Sequence, residues 1–444
     1  MRAWTLTALL CLTALSGCLS DEAEPDDLTH GDPAWALLED ALAAWNAGDT
    51  NANLALLGIW PEGGGEEIDA WGDYLFVDRG STLYIVQRTV EADGGLRLET
   101  VSELTLPGPK DVKVSDDGRW MFVGNDDPGS MSPLGGTARD GGFTVFDVSD
   151  KTDPKQVSYL PVGPRRGPHM VFYHQQPDGT ELVFGANGDV SINRFDRATG
   201  TLTELSRYAP DYVMDVNRDP NVVDAYYQTF AHDMFVMEDP VDGRTLMYVS
   251  NWDAGLRIVD VTDPAAPIEL GGWNDFPDGD SGNLHTAATE WIGDRRITVG
   301  SVEVGFAVVG GLPYARGEDQ SALYVWDTTD PANIKLLGRW ENPDDAPAAR
   351  DMVPGEGISS THNLQVEGGR VYLAHYDLGF FVLDISTPAL QAAPEVLAFD
   401  REEGTHVWDV IVHDGVIYES GALGVRGHHF LGDVLGEGGI DSRA

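Results

Sequence analysis

The chain has 444 residues, 42% of them hydrophobic, with 52 glycines and 25 prolines. It is long enough for a large core, and its turn-rich composition argues against a helical protein. A formal net charge of -45, with five lysines against 23 arginines, excludes nucleic-acid binding because nothing could neutralise a row of phosphates, and suits saline or extracellular surroundings.

The N-terminus opens with Met1-Arg2, an apolar run from Ala3 to Leu15, and Ser16-Gly17-Cys18. A positive start, a short apolar segment and small residues before a cleavage point mark a secretory signal, and the run is too short to cross a bilayer. The order Leu15-Ser16-Gly17-Cys18 resembles the lipobox of prokaryotic lipoproteins. That resemblance implies that residues 1–17 are removed and that Cys18 carries a lipid. The membrane is then a partner through this anchor, at the cell surface or in the periplasm. The other cysteine, Cys11, falls in the removed segment, so the mature chain is expected to hold no internal disulfide. Residues 18–31, polar and acid-rich, read as a tether. A helix is predicted over 32–48, with Asp32 as N-cap, Pro33 at the first helical position and Gly48 past the end. Its expected apolar face is Trp35, Leu38, Leu42 and Trp45.

Beyond the helix one unit recurs. Gly255 to Trp273 (GLRIVDVTDPAAPIELGGW) has variants at Phe143 to Asp153 (FTVFDVSDKTD), Leu323 to Trp340 (LYVWDTTDPANIKLLGRW) and Phe380 to Pro388 (FFVLDISTP). An apolar strand, an aspartate, a turn with proline and a second apolar strand, repeated on this length scale, signal radial β repetition. Landmarks at Gln87, Asp147, Asp196, Asp260, Asp327 and Asp384, 49 to 67 residues apart, with a degenerate seventh near Gly424 to Gly427, define seven units. Each reads as four strands, but the seventh (Val407 to His413, Val416 to Ser420, Leu423 to Phe430) runs out of apolar strand. Leu54 to Trp60, in contrast, matches the second half of the unit with no first half before it. If it supplies the missing outer strand, the chain closes as an all-β, seven-bladed β-propeller over residues 54–430 with a tail of 431–444, and no blade edge is left unpaired at the seam.

Leu256-Arg257-Ile258-Val259-Asp260 and Phe381-Val382-Leu383-Asp384 resemble the LVIVD repeat, whose family is implied to form propellers in bacterial and archaeal surface proteins. The likeness is good in units four, five and six, and weak in unit three (Ile192-Asn193-Arg194-Phe195-Asp196) and unit seven. It implies architecture and location, and no reaction.

In a propeller the first strand of each blade lines the central channel. Aligned, those strands begin Glu67-Ile68-Asp69, Lys110-Asp111-Val112, His169-Met170-Val171, His232-Asp233-Met234, His285-Thr286-Ala287, His362-Asn363-Leu364 and Trp408-Asp409-Val410. Four consecutive blades thus start with histidine in one register, and His406 lies two residues before Trp408. Three readings stay open. The histidines can be repeat residues that hydrogen-bond the neighbouring blade. They can instead converge, so that His169, His232, His285, His362 and His406 hold a transition metal, since imidazole suits zinc, copper, iron or nickel. Or they can form an organic-ligand or acid/base site without metal.

The second strand of each blade returns to the end where the first began, so its terminal loop joins the same face. Those loops read Asn125-Asp126-Asp127, Asn187-Gly188-Asp189, Asn251-Trp252-Asp253 and His375-Tyr376-Asp377. Asx residues there form local turns, and carboxylates beside imidazoles can orient them. Insertions at Pro128 to Gly142, Pro210 to Gln228, Asn274 to Asn283, Phe306 to Ser321 and Glu341 to Ser360 belong to this face, with Tyr212, Tyr226, Tyr227, Trp252, Tyr314 and Tyr376 as its aromatic surface.

The mature sequence has no G-x-x-x-x-G-K-[ST], no H-E-x-x-H, no G-x-S-x-G and no cysteine nucleophile. A glycosidase carboxylate pair stays open, because 73 acidic residues offer too many choices. The expected function is an extracytoplasmic, lipid-anchored module that binds a protein or small-molecule ligand through its histidine-rich loop face. The alternative is a metal-dependent enzyme of oxidase or oxygenase type with a multi-histidine site at the axis, and a third reading is a rigid spacer.

Overall fold

The computed structural model describes residues 33–126, 141–162, 167–210, 230–252, 254–276, 283–303, 306–309, 312–315, 321–342 and 360–432. Cys18, Asp127, Tyr212, Tyr226, Tyr227, Asp253, most of the five insertions and nearly all of the tail lie outside the described residues, as do the side chains of Trp35 and Tyr314.

Seven antiparallel sheets, blades 1 to 7 in chain order, have inner strands at Ile68–Trp71, Pro109–Val114, Met170–Gln175, Asp233–Glu238, Leu284–Ile292, Leu364–Glu367 and Val407–His413. Each inner strand contacts the next and the seventh contacts the first, so the sheets close round one axis as a seven-bladed β-propeller. Second strands such as Trp120–Asn125, Thr245–Asn251 and Val416–Gly421 are buried at every residue, because both faces pack against neighbouring blades. Between blades 3 and 4, for example, Phe184 and Ile192 meet Met234, Met247 and Val259. The outer strand Lys155–Pro161 is mostly exposed, as befits a blade rim.

The repeat motif has a physical reading at two points. The aspartates that end the third strands (Asp147, Asp196, Asp260, Asp327 and Asp384) each accept from the backbone N–H two residues on, so they are turn formers. The glycine two residues before the motif's tryptophan lets the neighbouring blade come close. A Cβ on Gly58, Gly271 or Gly338 would fall 2.1, 2.0 or 2.4 Å from a backbone oxygen of Leu96, Pro331 or Ala392.

Blade 7 is completed by the N-terminal strand Leu54–Trp60, which runs antiparallel to Gly424–Phe430 with Leu54 opposite Phe430 and Trp60 opposite Val425. Trp60 also reaches blade 1, where it packs on Tyr84 with ring centroids 5.1 Å apart and donates its indole N–H to Thr100 Oγ1 at 2.9 Å. Three elements are unforeseen: Asn51–Ala52 adds a fifth strand to blade 6, a helix at Pro388–Ala392 is capped by Thr387, and a hairpin pairs Phe306–Val309 with Leu312–Ala315. The first helix spans Pro33–Ala47, and its face corrects the expected one. Leu37, Leu38 and Ala41 are buried and Trp45 packs on Phe381 and Phe399, whereas Leu42 is 62% exposed. The buried stripe centres on Ala41, and Leu42 lies about 100° further round.

Candidate functional site

At one end of the axis the residues that open the inner strands gather in a ring. In order round the axis they are Glu66, Lys110, His169, His232, His285, His362 and Trp408. Glu66, and not Glu67, holds this register. Asp409 accepts the Ile68 N–H at 3.1 Å just as Asp111 accepts the Val171 N–H at 2.6 Å, which makes Ile68 the counterpart of Val171 and Glu66 that of His169. Ring centroids are 4.7 Å apart for His169 and His232, 3.8 Å for His232 and His285, 4.1 Å for His285 and His362, and 4.9 Å for His362 and Trp408. The Lys110 ammonium lies 4.9 Å from the Trp408 ring and pairs with Glu66, closing the circle. His232, His285 and His362 are recessed, at 4, 2 and 3% exposure, while His169 is half-buried.

A second tier comes from the corner after each second strand, where side chains alternate in direction as a strand's must. Asn125, Asn187, Asn251 and His375 turn into the blades. Asn125 accepts from Thr144 at 2.5 Å, Asn187 donates to the Gly167 carbonyl at 2.6 Å, Asn251 is fully buried, and His375 packs on Phe381. The next residue faces the ring in three of these blades, and in the Asn187 blade it is Gly188. Asp126 Oδ2 is 3.1 Å from His169 Nδ1, Trp252 stacks on His232, and Tyr376 lies between His362 and His406 at 4.6 and 4.7 Å. Asp377 holds His406 Nδ1 at 2.5 Å, and Asp189 pairs with Arg207.

In blade 5 this inward corner position is Glu303, which sequence reasoning missed because no Asx residue marks the corner there. The usable signal was its place directly after Val302, the end of the blade's second strand. Glu303 Oε1 accepts the Tyr376 hydroxyl at 2.6 Å, and Oε2 lies 3.8 Å from His285 Nε2.

Two of these corners are strained. Trp252 and Tyr376 have φ of 23° and 34°, where the equivalent Gly188 has 89°. A bulky residue at positive φ costs on the order of 1–3 kcal/mol and persists only when its surroundings over-determine it. Here the corner is bridged to the next blade's inner strand, Trp252 to Leu284 and Tyr376 to Val407, as Gly188 is to Ala231. Glycine would relieve the strain, so the aromatic rings themselves are what these two corners keep.

Hydrogen bonding fixes the tautomers. Trp408 O can only accept, so His362 Nδ1, 2.5 Å away, carries the proton and Nε2 the lone pair. Thr286 gives its proton to Asn363 Oδ1 and therefore accepts from His285 Nδ1 at 3.0 Å, while Asn363 is held by Glu67. His285 Nε2 likewise keeps a lone pair. Burial first, then neighbouring imidazoles and Lys110, hold His232, His285 and His362 well below the usual histidine range, so all three are neutral at pH 7. Burial raises Glu303 to about 7, and burial with Asp111 raises Asp233 to about 7.

These shifts predict opposed pH dependences. The three imidazoles bind fewer protons folded than unfolded, so their contribution is complete above about pH 6.5. It is lost as pH falls below that value, by about 1.4 kcal/mol per pH unit for each imidazole that stays neutral. Glu303 and Asp233 act the other way: their contribution is complete below about pH 4 and is lost as pH rises through 7. A His285→Gln variant isolates one imidazole. Between pH 6.5 and 5.5 it is expected to lose about 1 kcal/mol less than the parent protein in urea titrations with EDTA present. Parallel curves would refute the assignment.

Fold and ring together define a seven-bladed propeller with imidazoles gathered at one end of its axis. Residues 246–275 and 359–392, in blades 4 and 6, match the LVIVD repeat model, and the chain carries LVIVD repeats. No curated protein matches it in sequence. Among solved structures it is similar to the periplasmic gluconolactonase of Pseudomonas aeruginosa, at 15% identity over 83% of this chain and 88% of that one, with a TM-score of 0.54. It is also similar to the C-terminal WD40 domain of Sif2, at 11% identity over 84% of this chain and 97% of that one, with a TM-score of 0.50. At such identities the likeness is one of fold alone.

Proposed function

We propose that this LVIVD propeller is an extracytoplasmic, lipid-anchored binding module that takes a small ligand in its axial mouth. The observation that carries the reading is the recessed ring itself. Neutral imidazoles of under 5% exposure, packed with Trp252, Tyr376 and Trp408, are out of reach of a flat macromolecular surface and suit a small molecule or ion. Strained aromatic corners pointed at that ring fit a site kept for binding. The lipobox-like Leu15-Ser16-Gly17-Cys18 supports the anchor, and the acidic composition supports an extracytoplasmic setting.

The test is native mass spectrometry of protein extracted from the membrane fraction without a metal-affinity tag. The parent protein is expected to retain a low-mass species that a Trp252→Ala, Trp408→Ala variant of unchanged circular dichroism loses. Identical spectra for the two proteins would sink the reading, and Cys18→Ala is expected to move the protein out of the membrane fraction.

A further inference from the structure

We infer that the mouth holds one divalent first-row transition-metal ion, ligated by His285, Glu303 and His362. This rests on the mouth being the ligand site and specifies what occupies it. One donor atom from each of the three residues lies within 4.8 Å of the others. Among the described residues, the neighbouring protons are already engaged elsewhere. The Nδ1 protons of His285 and His362 are committed to Thr286 and to the Trp408 carbonyl, and the Tyr376 proton is committed to Glu303 Oε1. What faces inward is two imidazole lone pairs and a carboxylate oxygen, with His285 Nε2 and Glu303 Oε2 only 3.8 Å apart. Two imidazoles and a carboxyl group that converge in this way are a ligand set for a cation, which would displace the carboxyl proton.

The donor chemistry selects the cation. Two imidazoles and one carboxylate suit zinc, iron, cobalt or nickel, and a set of three leaves coordination positions open for a further ligand. Bonds of about 2.0–2.2 Å require the three atoms to draw together by roughly 1 Å, which side-chain rotation of Glu303 can supply. His232 stands next in the ring, 3.8 Å from His285 between centroids, outside the group of three donors. Each ligand also has an outer partner that fixes its orientation: the Thr286–Asn363–Glu67 chain behind His285, the Trp408 carbonyl behind His362, and Tyr376 behind Glu303. Such support is what metal-binding histidines and carboxylates require. Asp400, Glu419 and His428 form a second buried cluster with metal-like spacing, but the Arg426 guanidinium already lies among them.

The experiment uses the whole chain, purified without a metal-affinity tag, stripped with EDTA and titrated with Co(II), read by visible ligand-field absorption and by metal analysis after gel filtration. One cobalt per chain is expected. Glu303→Gln, which keeps the side chain's shape, is expected to weaken binding 10- to 100-fold, and Tyr376→Phe, which loses only the grip on Glu303, about tenfold. His413→Ala, remote from the ring, is expected to bind as the parent does. No saturable uptake by the parent, or uptake unaltered by both Glu303→Gln and His285→Ala, overturns the metal site. Repeating the native mass spectrometry on stripped protein separates the two ideas. Retention of a small molecule without cobalt uptake leaves the mouth standing and removes the metal, whereas cobalt uptake with no species lost from the tryptophan variant does the reverse.

Discussion

A chain beginning at residue 61 is expected not to fold cooperatively, although it keeps five blades whole, four strands of blade 6 and the inner three strands of blade 7. The removed segment is a staple across blades 6 and 7. Its strand Leu54–Trp60 closes blade 7, its residues Asn51 and Ala52 pair with Asp400 and Phe399 of blade 6, and its helix sets Trp45 on Phe381 and Phe399. Asn53 joins these pieces at φ 57°, a conformation asparagine tolerates, with its amide donating to the Leu37 and Leu397 carbonyls. Leu37, Leu38, Leu54 and Trp60 are buried and Trp45 partly so, and at about 1.5–3 kcal/mol for each large side chain the segment contributes roughly 10 kcal/mol. That equals the whole stability of a typical domain, about 5–15 kcal/mol. The truncation also bares the Gly424–Phe430 edge to other chains. Urea unfolding followed by tryptophan fluorescence should show no sigmoidal transition. Appending residues 33–60 through a flexible linker after residue 432, next to Leu431, whose N–H donates to the Asn53 carbonyl at 2.9 Å, should restore it. A truncated chain that melts as sharply as the parent would show that the seam is dispensable.

The closure was legible in the sequence because it depended on strand arithmetic: Leu54 to Trp60 carries the same leucine, glycine and tryptophan as Ile268 to Trp273 and had no partner of its own. The third-strand aspartates were legible for a similar reason, since a turn former acts on its immediate neighbours. The axial ring was legible as a register, and four histidines fell into it. What could not be read was direction. Whether a corner residue faces the axis depends on a one-residue phase, so Asn251 and Trp252, or His375 and Tyr376, read as one group although they point to different places. Glu303 was hidden by the same phase, and Glu66 was displaced by Glu67 because blade 1 has no histidine to anchor the alignment. The corner strain at Trp252 and Tyr376 is a property of φ, to which composition is blind. Leu42 failed for a subtler reason: the helix alone offers two overlapping apolar stripes, and only its docking on blade 6 chooses between them.

A second, smaller seam-side effect is expected from Arg426→Met. Arg426 is 4% exposed, and its guanidinium reaches Asp400 at 3.2 Å, Glu419 at 3.0 Å and Glu402 at 2.8 Å, with Asp400 and Glu419 themselves buried. His428, fully buried, sits 3.1 Å from Glu419 through Nε2. Removing the one permanent cation leaves two buried carboxylates facing each other, and breaking a buried pair in this way costs about 3–5 kcal/mol. The loss belongs to the stranded charges and not to the missing attraction, since a buried ion pair replaced whole by apolar or neutral groups is often close to neutral in energy. Arg426→Met combined with Asp400→Asn and Glu419→Gln should therefore recover most of the deficit. Acidity provides a second check. Burial already raises the Glu419 carboxyl, and without Arg426 it rises further. The folded variant then binds more protons than its unfolded chain, so its deficit against the parent should shrink as pH falls from 7.5 toward 5. Urea midpoints measured at both pH values on the parent, the single variant and the triple variant decide the matter. A deficit under about 1 kcal/mol, or one that the neutralising partners deepen, would mean that Arg426 is held there by packing of its stem and not by charge.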